Sequence, residues 1–235
     1  MSVTVAVRKS GREFVAAKRV HGALTASPEK RALVWMAQRA PRWVTSDGLT
    51  MLGLSAQIGA GACYALSRWS RWWLVAGIVC MALNWLGDSL DGTVARVRQQ
   101  QRPRYGFYVD HIVDVVGAVA LMSGLACSGL VHWQVAMAML IAFLVLSSES
   151  FLATYTLGSF EMSQGWFGPT ELRILLAMAN VALLRSPYSV VMGHRWLLFD
   201  FGGTIGVVGM SVMAVATIVR HTAELYRQEP LAGAR

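Results

Sequence analysis

Asp88-Ser89-Leu90-Asp91-Gly92-Thr93-Val94-Ala95-Arg96, followed after nine residues by Gly106-Phe107-Tyr108-Val109-Asp110-His111-Ile112-Val113-Asp114, sets four carboxylates inside two otherwise apolar runs. A charged side chain at the centre of a membrane helix costs roughly 2.5–3.5 kcal/mol, so such residues are rare and usually functional. Asp88 and Asp91 are three apart, and Asp110 and Asp114 are four apart, so on helices each pair shares one face. The link between the two runs is short, so the helices run antiparallel. The two acidic faces are then expected to meet at one membrane depth.

The rest of the chain fits a bilayer. Of its 235 residues 55% are hydrophobic and only 14% charged, and the mean hydropathy is +0.46. Soluble domains carry about 25% charged residues, so a soluble globular class is largely excluded, as are disorder and collagen-like repeats. Six apolar stretches, roughly 48–66, 72–94, 107–130, 132–154, 171–184 and 202–220, read as six transmembrane helices. The fifth is short. It is expected to be tilted or kinked, or to continue through Ser186-Pro187-Tyr188 to about Met192. The fold class is thus an all-α integral membrane protein. Cys63, Cys80 and Cys127 each lie in an apolar run, outside any CxxC pair, and read as small buried hydrophobes.

Net charge is +8, from 21 basic and 13 acidic side chains. This balance suits an anionic membrane surface, and the apolar runs decide against nucleic acid. With the N-terminus inside, 17 Lys and Arg fall on the cytoplasmic side and only four, Arg68, Arg71, Arg185 and Arg195, outside. The positive-inside rule then puts both termini and the acid cluster in the cytoplasm, and the expected location is the inner cell membrane. The first 47 residues are polar and basic and show no apolar signal-peptide core. Ser27-Pro28 reads as a helix start. Leu33, Met36, Ala37 and Ala40 then share a face, predicting an amphipathic helix lying on the cytoplasmic leaflet. The expected organisation is a cytoplasmic or interfacial segment over 1–44, a six-helix domain over 45–221 and a cytoplasmic tail over 222–235. Trp69, Trp72, Trp73, Trp133 and Trp196 gather near the outer surface as an aromatic belt. Asp200, near the outer end of the last span, is expected to snorkel.

Four carboxylates in a poorly solvated site demand cations. Arg96 and Arg98 can pair with one or two of them, hardly with four. Hard oxygen donors select Mg²⁺, Mn²⁺ or Ca²⁺, and four aspartates can hold two ions. Gly92, Ala95 and Gly106 leave gaps beside the acids, and Arg96 offers a planar fork to phosphate oxygens. The combination suits a pyrophosphate-containing substrate.

The spacing Asp88-x₂-Asp91-Gly92-x₂-Ala95-Arg96…Gly106-x₃-Asp110-x₃-Asp114 resembles the signature of the CDP-alcohol phosphatidyltransferases, with one extra residue between Arg96 and Gly106. Thr45-Ser46-Asp47-Gly48-Leu49-Thr50 is similar, more weakly, to the family's approach to its first span, with Ser46 for Pro and Asp47 for Asn. The resemblance implies transfer of a phosphatidyl group from CDP-diacylglycerol to an alcohol, with release of CMP. It implies Asp88, Asp91, Asp110 and Asp114 as ligands to two Mg²⁺ or Mn²⁺ ions, and Asp114 also as the base on the acceptor hydroxyl. The CDP-lipid is expected at Gly92, Ala95, Arg96, Gly106, Arg102 and Asp47. The resemblance also suggests a homodimer.

The acceptor is less legible. Arg173, after Gly168-Pro169-Thr170-Glu171, sits where it can bind an acceptor phosphate, or it anchors the span. Glu149 can orient an acceptor hydroxyl or pair with Arg173. His111, next to Asp110, also looks like the choline/ethanolamine phosphotransferase branch, in which the donor is CDP-choline or CDP-ethanolamine and the acceptor diacylglycerol. A packing role is the competing reading. From another class, a divalent-cation transporter would also place acids in spans. It would carry them along a whole path, whereas here they crowd at one end. A membrane scaffold with decayed chemistry is disfavoured because all four aspartates are present.

Overall fold

The computed structural model describes residues 26–157, 169–191 and 193–229. Seven helices and one small hairpin follow in the order α1 (Ala26–Arg39), α2 (Ser46–Leu66), α3 (Trp72–Val97), α4 (Pro103–Ala126), α5 (Trp133–Leu157), α6 (Pro169–Arg185), β1 (Tyr188–Val191), β2 (His194–Leu197) and α7 (Leu198–Gln228). Five helices, α2, α3, α4, α5 and α7, are long and apolar enough to cross a membrane. The fifth expected span, α6, has 17 residues. At 1.5 Å per residue it is about 25 Å long, short of a hydrocarbon core of ~30 Å.

The span does not run on toward Met192, which itself lies outside the described residues. Pro187 cannot continue a helix, and Tyr188–Val191 pairs antiparallel with His194–Leu197, with Ser189 opposite Trp196. Gly193 makes the turn with φ of 80°. The hairpin leads directly into α7.

The bundle is organised around α2, against which both α3 and α4 pack. The contacts are made by backbone meeting backbone. A Cβ on Gly87 of α3 would collide with Gly53 N and the Leu49 carbonyl of α2, and one on Gly124 of α4 would overlap the Gly61 carbonyl. Outside this trio, α6 and α1 lie on α3, α5 lies on α4, and α7 lies on α5.

Two apolar clusters hold the ends. At one end Tyr64, Leu74, Leu125, Ala136, Leu183 and Phe199, one from each of α2 to α7, pack together with Val131 of the α4–α5 turn. At the end where α2 begins, Leu33 and Ala37 of α1 pack with Leu49, Leu90 and Val94. A helix thus forms where Ser27-Pro28 announced one. Its apolar face, with Leu33 and Ala37 buried, is turned onto α2 and α3. Its only carboxylate, Glu29, points inward too, accepting from Trp85 Nε1 at 2.7 Å and from Thr170 Oγ1 at 2.9 Å. Lys30, Arg31, Trp35 and Arg39 remain outside, Arg39 stacked over Trp35 at 4.4 Å.

One expectation at the ends needs correction, and one alternative is resolved. Asp200 does not snorkel: it is buried, and accepts from the His132 backbone N–H at 2.7 Å, with the His132 Nδ1 at 2.5 Å. It ties the α4–α5 turn to the start of α7. Arg98 bonds no aspartate but donates to the carbonyls of Ala40, Pro41 and Val44, closing the α1–α2 link against the end of α3. The five belt tryptophans, Trp69, Trp72, Trp73, Trp133 and Trp196, are all exposed, as an aromatic girdle requires. Cys63 is buried, Cys80 half-buried and Cys127 exposed, and all three are free thiols.

Candidate active site

The acids gather at the end of the bundle where α2 begins, α3 ends and α4 begins. Asp88 and Asp91 come from the last turns of α3, Asp110 and Asp114 from the first turns of α4. The two acidic faces do not meet by direct packing of α3 on α4, because each of those helices lies along α2. Asp91 and Asp114 are each close enough to the other acids for their charges to interact, and Asp114 also feels Arg173. Asp114 itself is exposed, while Asp88, Asp91 and Asp110 are half-buried.

Asp91 and Asp88 each hold a protein partner. The Thr50 hydroxyl donates to Asp91 Oδ2 at 2.6 Å, and the Gly92 N–H lies against Asp91 Oδ1. Arg173 Nη2 donates to Asp88 Oδ2 at 2.7 Å, and its Nε donates to Asn84 Oδ1 at 3.0 Å. Among the described residues, no three His, Cys, Asp or Glu side chains converge to hold one ion. The donor set nevertheless fits a hard divalent cation in kind. It is made of carboxylate oxygens, with Asp114 in charge range of the other three acids and Arg173 paired to Asp88.

The gaps beside the acids are not packing features. A Cβ on Gly106 would meet nothing within 4 Å, and one on Gly92 would come no closer than 3.5 Å to Arg96 Nη1. The packing glycines Gly61, Gly87 and Gly124 behave oppositely. Arg96 is exposed and donates from Nη2 to Thr93 Oγ1 at 2.9 Å, with Ala95 half-buried beside it. Arg102 and Asp47, both expected at the donor, form an ion pair with each other, and Arg102 lies over the Tyr105 ring at 4.0 Å. The Asp47 carboxylate holds the Arg102 proton above its ordinary value.

The acceptor candidates divide. Arg173 reaches the acids. Glu149 does not pair with Arg173; it lies 2.5 Å from His221 Nδ1, linking α5 to α7. His111 is buried, with Nδ1 on the Phe107 carbonyl at 2.6 Å and its ring 4.1 Å from Phe107 and 4.8 Å from Phe151. Its nearest Asp110 oxygen is 3.9 Å away, too far for a hydrogen bond.

Two residues, Thr50 and Asn84, were not assigned to this site from the sequence. Thr50 holds Asp91. Asn84 holds Arg173 and also donates to the Gly53 carbonyl at 3.0 Å and to Gln57 Oε1 at 3.4 Å. Polar side chains one turn apart in an apolar run, Asn84 and Asp88, were the available signal; Gln57 in the first span was another.

The geometry of these acids can be set beside known proteins. No curated protein sequence matches the chain. The fold is similar to that of the Mycobacterium tuberculosis phosphatidylinositol phosphate synthase PgsA1, crystallised with CDP-DAG bound. That likeness has a TM-score of 0.55 and 24% identity, and covers 87% of this chain and 98% of that one. Residues 43–220, which include α3 and α4 with their four aspartates, match the family model of CDP-alcohol phosphatidyltransferases, and the chain belongs to that family.

Proposed function

We propose that this protein transfers a phosphatidyl group from CDP-diacylglycerol to an alcohol, with release of CMP, and that the preferred alcohol carries a phosphate. The observation that carries this reading is the placement of Arg173 at Asp88, which sets a fixed cation beside the acid cluster. A guanidinium offers paired donors to phosphate oxygens. The family membership supports the donor class.

Asp114, exposed and in charge range of the other three acids, is assigned as the base. It takes the proton of the acceptor hydroxyl as that oxygen bonds to the phosphatidyl phosphorus. The phosphoanhydride bond breaks and CMP leaves with its electron pair. A positioned base contributes about 10²–10⁴-fold. Arg96 is assigned to the diphosphate, and Gly92, Ala95 and Gly106 to the space the nucleotide needs, with the Asp47–Arg102 pair at its edge. Asp88, Asp91, Asp110 and Asp114 would hold two Mg²⁺ or Mn²⁺ ions, which when bound neutralise the diphosphate and stabilise departing CMP. Thr50 orients Asp91 for that task.

The arrangement suits the inner cell membrane with the acids and both termini at the cytoplasmic face. Acyl chains then stay in lipid while the nucleotide stays in water. The basic outer face of α1 lies on the same leaflet, and the subunits pair as a homodimer. The choline/ethanolamine-type reaction is the less favoured reading, because His111 is packed between two phenylalanine rings. Glu149, bonded to His221, is assigned to packing of α5 on α7.

The test is to supply purified protein with CDP-diacylglycerol, Mg²⁺ and a panel of glycerol 3-phosphate, inositol phosphate, inositol and serine, following CMP. CDP-choline with diacylglycerol is the control. CMP release with a phosphorylated alcohol is expected. Release only from CDP-choline would overturn the reading.

A further inference from the structure

Asn84 stands one helical turn before Asp88 on the same face of α3, and its amide is gripped at both ends. Oδ1 accepts from Arg173 Nε at 3.0 Å. Nδ2 donates to the Gly53 carbonyl at 3.0 Å and reaches Gln57 Oε1 at 3.4 Å. Turned over, the amide would set its NH₂ against the Arg173 N–H and its oxygen against the Gly53 carbonyl. Both contacts would be repulsive, so the partners dictate the orientation. Gly53 is itself fixed, because it lies where α2 and α3 touch at Gly87. The orientation therefore runs from a rigid helix crossing, through one amide, to the guanidinium.

Arg173 meets Asn84 and Asp88 through Nε and Nη2, the same edge of its fork. The edge bearing Nη1 is turned away from both. An arginine on a long flexible side chain loses rotamer freedom when it binds a ligand. One already held along one edge presents the other edge ready-made.

We infer that Asn84 is a positioning residue for the acceptor: it holds the Arg173 guanidinium for the phosphate of a phosphorylated alcohol and so sets the preference over neutral alcohols. This rests on the reading of Arg173 given above. Asn84→Leu, with Asn84→Ser as a less bulky second variant, is placed in the wild-type and Arg173→Ala backgrounds. The KM for glycerol 3-phosphate or inositol phosphate, whichever supports CMP release, should rise about tenfold with Arg173 present, the scale of one lost hydrogen bond to a charged group. It should not change in the Arg173→Ala background, and the KM for CDP-diacylglycerol should not change in either. An equal rise in both backgrounds overturns the inference.

A second measurement needs no turnover. The rate at which phenylglyoxal modifies Arg173, followed by mass spectrometry of the intact membrane protein, should increase in both Asn84 variants. An unchanged rate in both overturns the positioning role. If no alcohol supports CMP release the transfer reading fails, and the modification rates still decide the role of Asn84.

Discussion

Arg173 Nη2 lies 2.7 Å from Asp88 Oδ2, joining α6 to the acid cluster shared by α3 and α4. The pair is only partly exposed, at 20% for Arg173 and 31% for Asp88, so solvent screens it less than a surface pair. With Asp88 as a metal ligand, the same arginine stands beside both the cation site and the incoming acceptor. Arg173→Ala should raise the KM for a phosphorylated acceptor about tenfold or more, the loss of a charge-assisted contact. A neutral acceptor such as inositol should hardly respond. Steady-state CMP release with both acceptors checks this, and equal effects on the two would remove the phosphate site.

Thr50 and Asp91 make a second, independent handle. The hydroxyl of Thr50 donates to Asp91 Oδ2 at 2.6 Å from the first turns of α2. Thr50→Val keeps the shape and deletes the donor. Asp91→Asn keeps the shape and deletes the charge. Asp91→Asn should abolish Mg²⁺-dependent CMP release, and Thr50→Val should reduce it severalfold while raising the Mg²⁺ concentration needed for half-activity. Full turnover by Asp91→Asn would take Asp91 out of metal binding.

Asp114 is assigned to proton transfer as well as to metal. Asp114→Asn should lower single-turnover CMP release by about 10²–10⁴-fold, with a much smaller loss of CDP-diacylglycerol affinity. Single-turnover rates beside equilibrium binding of the donor separate the two effects. A variant that loses donor binding and chemistry in proportion would make Asp114 a ligand only.

The spacing of the four aspartates and the apolar runs around them carried both the membrane class and the family. Local spacing is enough there, because three- and four-residue steps fix a helix face before any tertiary contact forms. What the spacing did not carry was how the faces are brought together. The short link between the two acidic helices left open whether they pack on each other or on a third. Gly53, Gly61, Gly87 and Gly124 let α2 come between, backbone to backbone, and nothing in one helix's pattern names its partner. Long-range polar partners were equally hidden. Glu149 chose His221 and Asp200 chose His132, each across about seventy residues, over the partners suggested by membrane depth alone. The end of α6 was decided by Pro187 and the hairpin beyond it, where an apolar count saw only continuity.

The glycines separate packing from ligand space, and one pair of variants tests that separation. A Cβ on Gly124 would overlap the Gly61 carbonyl, so accommodating it requires α4 to move off α2. Overpacking of this kind costs about 1–3 kcal/mol or more. Gly124→Ala should therefore lower the Tm in detergent and reduce activity only as the folded fraction falls. Gly106 faces no protein atom within 4 Å of such a Cβ, and it lies in the first turn of α4, one turn before Asp110. Gly106→Ala should leave the Tm unchanged and raise the KM for CDP-diacylglycerol, because the added methyl occupies space assigned to the nucleotide. Thermal unfolding and donor-dependent CMP release, measured on both variants, decide between the two roles. If Gly106→Ala leaves donor KM untouched, the open space beside Asp110 does not receive the CDP moiety, and that moiety must then be placed on the Gly92 side of the cluster.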